Sequence, residues 1–385
     1  RGAGLSMRWP RVALGEVAEP VARPVAPRPD DTYRFIGVKW WGEGVYEFAR
    51  KPGTETAASV LFRVEPDDLV INKIWARHGS IGVVPPDLAG AVGSNEFPTF
   101  RAKPERLLPR WLHWWSKSRS AWEACAGLSF GSSGKNRIKP AEFLCIPLPL
   151  PPLSEQERIV ARLDAVEARL IARRRAAEAV EAELAHALAA AFRRITAQAP
   201  RARMGDVAPL VRRAVSIDLD SEYPELGIRS FGKGTFHKPA LLGVEVGSKR
   251  LFEIHAGDLL FSNVFAWEGA VAVAQPADHG RFGSHRFITR RVDPARATAD
   301  FLCYWFLTPE GLQRLGEASP GGAGRNRTLG LDALDRIEIP LPPLDAQRWF
   351  DRLQQKARAA REAAAAAASE LDRLLPALLA EAFGP

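Results

Sequence analysis

Cysteine is scarce in this chain: three among 385 residues, Cys125, Cys145 and Cys303, far apart and never spaced as Cys-x-x-Cys. That usage argues against a disulfide framework and a cysteine zinc cluster and makes the cytoplasm the default location. The seven histidines show no ligand spacing, so no metal site is expected. No apolar run reaches bilayer-spanning length and the first ten residues hold no hydrophobic signal region, so no membrane or secretory destination is expected. Catalytic signatures are missing as well. The paired prolines at Pro85, Pro151 and Pro342 sit in Val-Pro-Pro-Asp or Leu-Pro-Pro-Leu settings, not in the Pro-Pro-Tyr/Phe of an amino-methyltransferase. Gly134-Lys135 is no phosphate-binding loop, because Ser129 stands where glycine is required and Asn136 where Ser or Thr should meet magnesium. Pro66-Asp67 with Lys73 would suggest a nuclease cluster, but Ile71 takes the place of the second acid. No catalytic residue and no cofactor are expected in this chain.

What the chain does contain is itself, twice. With an offset of 190 residues, Leu14-Gly15-Glu16-Val17-Ala18 returns as Met204-Gly205-Asp206-Val207-Ala208, and Asp68-Leu69 with Gly79 returns as Asp258-Leu259 with Gly269. Gly134-Lys135-Asn136-Arg137 returns as Gly324-Arg325-Asn326-Arg327, and Pro151-Pro152-Leu153 as Pro342-Pro343-Leu344 after one slip. Two copies fill the chain, which is therefore a duplicated unit and not a short-period solenoid.

Each copy has two parts, giving four segments: 1–150, 151–199, 200–341 and 342–385. The first head mixes short β-type runs at 59–64, 69–74 and 143–147 with Gly and Pro turns and one helix over 109–126. After the proline stop at 147–152, Ser154 is the expected N-cap with Glu157 three residues on, and no Pro or Gly interrupts the chain to Ala199. Such a helix extends roughly 60 Å. Ile159, Leu163, Val166, Leu170, Val180 and Leu184 mark an a/d seam, and Leu353, Leu371, Leu374 and Leu378 mark the second, with Pro376 expected to kink its last turns. The expected fold class is α+β, two pseudo-repeated α/β heads separated by two long antiparallel coiled-coil helices.

The net charge is +8, and Lys plus Arg exceed Asp plus Glu by 21 to 15 in residues 1–150, so the excess lies mainly in the first head. This suits a polyanion such as DNA, or serves solubility alone. Two divergent heads held at a fixed distance can read two short DNA segments across an unread spacer, protein geometry setting the spacing. The alternative is a scaffold whose rod and heads bind only proteins.

Ile146-Pro147-Leu148-Pro149-Leu150-Pro151-Pro152-Leu153-Ser154-Glu155-Gln156-Glu157-Arg158-Ile159-Val160 resembles the segment entering the conserved helix in specificity subunits of type I restriction-modification enzymes. Ile337-Glu338-Ile339-Pro340-Leu341-Pro342-Pro343-Leu344-Asp345-Ala346-Gln347 resembles it more loosely, with Asp345-Ala346 for Ser-Glu and Trp349-Phe350 for a basic-aliphatic pair. The order head, helix, head, helix resembles the family over the whole chain. The resemblance implies two target-recognition domains, each reading one half of a bipartite duplex DNA site, and two helices that space them and bind two modification subunits. Those partners would carry adenine methylation with S-adenosylmethionine, and restriction subunits, where present, ATP- and Mg-dependent translocation and cleavage.

Base edges are read by Arg, Lys, Asn and Gln, and phosphates are held by basic and small polar groups, so loops with those residues are the candidates. In the first head they are Lys39 and Trp41 beside Trp40, then Lys73, Arg77 and His78, then Ser133, Lys135, Asn136 and Arg137. In the second they are Arg229, Lys233 and His237, then Asn263 and Trp267, then His285 and Arg286, then Arg325, Asn326 and Arg327. Lys73-Ile74-Trp75-Ala76-Arg77-His78 faces Asn263-Val264-Phe265-Ala266-Trp267-Glu268 in the alignment: a matched apolar frame with changed polar tips, as two readers of different sequences would have. The Gly-Lys/Arg-Asn-Arg segment is kept in both copies, for phosphate anchoring or as a structural loop. Trp75 and Phe265 are expected as core anchors; Trp40 and Trp41 are core, a DNA wedge, or one of each. Arg158, Arg162, Arg169 and Arg174 face outward on the helix, to dock partners or stay solvated.

Overall fold

The structure is a computed structural model that describes residues 9–128, 137–321 and 327–384, with the side chains of 369–371 outside the description, Leu371 of the seam among them. The chain divides into two compact units, Arg1–Glu178 with Ala364–Pro385, and Ala179–Ala363. Each unit is a head together with part of both long helices.

Leu69–Ile71 is buried at every residue, the pattern of a strand covered on both faces. It lies between Thr99–Ala102 and Ile81–Val83, with Ala18–Val21 beyond Thr99–Ala102, all antiparallel. Alternation decides which side chain goes where: Leu69 and Ile71 enter the main core with Trp111 and Trp115, and Val70 enters a smaller core with Ile36, Val38, Val45 and Val84. Above that smaller core is a second sheet in the order Pro24–Val25, Leu61–Arg63, Val92–Gly93, Thr32–Val38, Val45–Pro52. The other head repeats the scheme, with Leu259 and Phe261 in the main core and Leu260 in the smaller one. Its long hairpin, Glu222–Ile228 with Thr235–Leu242, shifts register before Leu226 as Thr32–Val38 with Val45–Pro52 does before Ile36.

Several expected boundaries move. The helix expected over 109–126 is two, Pro109–Ser116 and Arg119–Gly127, because Ser118 starts a new one by accepting the Ala121 amide at 3.3 Å. In the second head Thr308 does the same for Pro309–Glu317. The strand expected at 143–147 begins only at Pro147, since Phe143 closes a helical turn, Pro140–Phe143. The long helix runs Leu153–Thr196, 44 residues. Its first carbonyl is that of Pro152, which accepts from Glu155 at 2.9 Å and Gln156 at 3.0 Å, so Ser154 lies inside the helix and is not its cap.

The second long helix, Leu344–Asp372, breaks at Arg373 and resumes as Leu374–Phe383. Pro376 has no amide for the Asp372 carbonyl, so the interruption falls where the sequence placed a kink. Within the first unit Arg162 meets Glu381 at 3.8 Å and Arg174 meets Asp372 at 2.6 Å. Within the second, Arg361 meets Glu181 at 2.7 Å and the rings of Phe192 and Phe350 lie 5.3 Å apart. Rising numbers on one helix face falling numbers on the other, so the helices are antiparallel in each unit.

The seam is a shared core more than a zipper. Leu163, Leu170 and Leu378 are buried and Ile159, Val166, Leu184 and Leu353 half-buried, but Val180 is 46% exposed and Leu374 39%. Apolar area goes instead to the heads: Phe383 packs on Trp111 with centroids 4.6 Å apart, and Leu188 and Phe192 join Phe301 and Phe350. An alanine-rich partner helix offers little surface to bury beside tryptophan and phenylalanine from a head.

The Gln of the entry motif ties helix to head. Gln156 is fully buried; its Oε1 accepts the Leu108 amide at 3.0 Å, and its Nε2 donates to the carbonyls of Arg106 and Pro151, each at 2.9 Å. Gln347 repeats this with the Thr298 amide at 3.0 Å and the Arg296 and Pro342 carbonyls at 3.1 and 2.8 Å. Gln347→Leu strands one buried and two partly buried backbone groups and should lower the stability of the second unit by about 2 kcal/mol, read by urea titration. An unchanged midpoint would remove the clamp from the account.

Asp351 is a cost built into the second unit. Burial, joined by the nearby Asp300, pushes its carboxyl up to about 6, above its ordinary value of 3.8. Between those two values the folded chain holds a proton that the unfolded chain has released, so this group's contribution to stability falls as pH rises through the window. Asp351→Asn should therefore flatten that part of the profile and stabilise the unit at pH 7 by about 1–2 kcal/mol. Thermal melts from pH 4 to 7 check it; a parallel profile for the variant would refute it.

Candidate nucleic-acid interface

The candidate surface of each head is a hairpin tip laid against a 3-10 turn. In the first head the tip joining Thr32–Val38 to Val45–Pro52 is held by three backbone bonds: Lys39 to the Gly44 carbonyl at 2.9 Å, Trp41 to that of His78 and Gly42 to that of Gly79, both at 2.8 Å. The turn Ala76–His78 opens on Asn72, whose Oδ1 accepts the amides of Ile74 at 3.0 Å and Trp75 at 3.3 Å. Lys73 pairs its amide with Glu96 and its carbonyl with Ile138, both at 3.0 Å, which brings the segment carrying Arg137 alongside. Gly42 is needed here: its φ is +65°, and a Cβ would sit 2.5 Å from the Ser116 carbonyl.

The second head keeps every one of these main-chain bonds. Arg229 donates to Gly234, Phe231 to Glu268 and Gly232 to Gly269, while Asn263 pairs with Arg286 and Leu329. The frame is constant and its side chains are not. In the first head Trp40, Trp75 and His78 form a ring cluster with centroids 5.2–5.8 Å apart, Trp41 meets His78 and Trp122 edge-on, and the Arg77 guanidinium lies 5.5 Å over Trp75. Trp75, expected in the core, is 36% exposed and Phe265 37%. These are surface rings, because the 3-10 turn points them away from the sheet while Ala76 and Ala266 take the buried place. In the second head Arg327 lies 4.9 Å over Trp267, Arg229 4.9 Å over Phe236, and Lys233 5.9 Å over Phe231.

The structure thus gathers Lys39, Trp41, Lys73, Arg77, His78 and Arg137 on one head, and Arg229, Lys233, Asn263, Trp267, Arg286 and Arg327 on the other, with His285 exposed beside Arg286. Arg137 spans both oxygens of Glu96 at 3.2 Å, which orients it. His237 is set apart: it bonds the buried Asp278 at 2.9 Å and helps hold its hairpin. Ser133, Lys135, Asn136, Arg325 and Asn326 lie outside the described residues. Phe231 was not among the sequence candidates, although it aligns with Trp41 and precedes the matched glycine.

Arginine over aromatic rings is chemistry for phosphates and base edges. Nucleophile chemistry finds no support at Cys125, which is buried, or Cys303, which is partly buried: desolvation pushes both thiols up to about 12, and both stay protonated at neutral pH. Among the described residues no group of His, Cys, Asp and Glu is arranged to hold a metal ion, and no helix is long and apolar enough to cross a membrane.

Residues 9–180 match the family model described as type I restriction modification DNA specificity domain. That match covers less than half of the chain. Solved structures extend the fold over the whole chain. The HsdS subunit from Thermoanaerobacter tengcongensis is 20% identical with a TM-score of 0.59, covering 98% of this chain and 96% of that one. A chain from a structure on complex assembly and conformational transition of the type I R-M system is 22% identical with a TM-score of 0.67, covering 97% of each. The type I S subunit from M. genitalium is 12% identical with a TM-score of 0.54, covering 100% of this chain and 98% of that one. No curated protein matches this chain. The second head, beyond residue 180, carries the same frame at the 190-residue offset.

Proposed function

We propose that the chain reads a bipartite duplex DNA site, one half with each head, and scaffolds two adenine-modification subunits on its long helices. The observation that carries this reading is the constant main-chain frame of the two tips with Lys73, Arg77 and His78 on one and Asn263, Trp267 and Glu268 on the other. A frame retained with its polar tips exchanged suits two readers of different sequences. Binding, not turnover, is then the activity. S-adenosylmethionine would be held by the modification subunits, and ATP and magnesium by a restriction subunit where one is present. Duplex DNA as the target places the work in the cytoplasm.

The test is mapping of methylated adenine across genomic DNA from cells that express this chain with its neighbouring methyltransferase and from cells lacking it. Methylation confined to one split motif, two defined halves around a fixed gap, and dependent on this chain is the expected result. Unchanged methylation with the methyltransferase active would favour the protein-only scaffold. Exchange of one head should alter one half of the motif and leave the other; a motif unchanged by the exchange refutes the assignment of one half to each head.

A further inference from the structure

Three non-glycine residues in the described chain have a left-handed backbone: Trp41 at φ 56°, Asp67 at 69° and Phe231 at 61°. For Asp67 the aligned residue of the other copy is Gly257, at φ 87°, so one copy uses the relaxed choice and the other a small polar residue that tolerates it. Trp41 and Phe231 are aligned with each other. Both copies thus hold a bulky aromatic where glycine or asparagine would be unstrained. Neither ring is needed in a core: Trp41 is 51% exposed and Phe231 74%. Strain retained twice, at the exposed point of two divergent heads, indicates a use outside the fold.

The setting indicates the partner. Both rings sit at the tips that carry Lys39 and Arg77 on one head and Arg229, Lys233 and Arg327 on the other, so the partner is anionic and has apolar faces to offer. Duplex DNA has both, phosphates outside and base faces within. We propose that Trp41 and Phe231 are paired wedges, each pressed against or between bases at its half-site, opening one base step while the neighbouring cations hold the backbone. Apolar wedges of this kind unstack single steps and kink a duplex, and a ring does so without regard to base identity. That explains why the ring is common to both heads while the residues around it differ. The proposal rests on the reading of the heads as DNA readers.

The test uses the full chain in complex with its modification subunits and duplexes bearing the mapped site, with 2-aminopurine placed singly at steps other than the methylated adenine. Phe231 is the better target, because its tip carries Lys233 where the first head has Glu43 and because Trp41 also rests on Trp122. Wild type should brighten one probe position in each half. Phe231→Gly should abolish the signal in one half only and weaken binding about ten-fold or more. It should leave the salt dependence unchanged, since no phosphate contact is lost, and should melt at the same temperature or slightly higher, because glycine relieves the strain. Equal affinity for the variant overturns the wedge, and so does a loss of binding accompanied by a lower melting temperature, which would mark Phe231 as a structural residue. A wild-type complex that binds no duplex overturns the DNA-reading function as well, and the two failures are thereby told apart.

Discussion

Asp68→Ala should unfold the first unit's sheet pair at temperatures where the second unit still stands. Asp68 is fully buried; its carboxylate takes Arg23 at 2.6 and 3.2 Å, Arg101 at 2.9 and 3.2 Å, and the Glu65 amide at 2.9 Å. Arg23 lies in the link between Ala18–Val21 of one sheet and Pro24–Val25 of the other, and Arg101 on the strand Thr99–Ala102, so one carboxylate pins the junction of the two sheets. Removing it leaves two guanidinium groups without their buried counter-charge, which costs about 3–5 kcal/mol where a buried pair is broken on one side. Arg101 is half exposed and recovers part of that by hydration, so the lower end is expected. Asp258 makes the matching bonds to Arg213 at 2.6 and 3.1 Å and to the His255 amide at 2.8 Å, with no second arginine among the described residues. Asp258→Ala should therefore cost somewhat less. Calorimetry of the two variants should show the lower transition assigned to a different unit in each; one shared shift in both would contradict the division of the chain into two units.

What was legible in the sequence was whatever obeys a local rule. The 190-residue offset marks the duplication, and a stretch without Pro or Gly marks the long helix within three residues of either end. Long-range competition was not legible. Heptad spacing placed Val180 and Leu374 on a seam, yet the partner there is alanine-rich and the heads' Trp111 and Phe301 draw the apolar residues of the helix ends instead. Nor does any local pattern say that Phe383, 263 residues after Ser120, accepts its hydroxyl at 3.1 Å. At the candidate interface the same division holds. Lysines and arginines in Gly-bounded loops were found by residue type, whereas Trp75 and Phe265 were assigned to the core because large aromatics usually go there. Only the backbone of a 3-10 turn reveals that they face out.

Arg77→Ala should relax one half of the methylated motif and leave the other half as strict as before. The Arg77 side chain is already oriented: its Nε donates to His78 Nε2 at 3.2 Å and its guanidinium lies over the Trp75 ring. A guanidinium preset in a plane is suited to the two acceptors of guanine in the major groove, a contact that discriminates by about 1–3 kcal/mol, or roughly ten- to hundred-fold. Arg77→Lys keeps the charge but loses the planar fork, so it should relax the half-site nearly as much as Arg77→Ala. That comparison separates base reading from phosphate binding. If Arg77 contacts a phosphate, the alanine variant weakens binding equally for every sequence and lowers the salt slope by about one, and lysine restores both. The corresponding residue of the second head is Trp267, which stacks under Arg327 and donates its indole NH to the Val264 carbonyl at 3.0 Å. Trp267 has no fork to offer a base, so on the proposed reading the base contact in that head is expected from Arg327 on top of it. Arg327→Ala is expected to relax the other half-site, and methylation maps from the two alanine variants should differ in opposite halves. Relaxation of the same half by both would contradict the assignment of one half to each head.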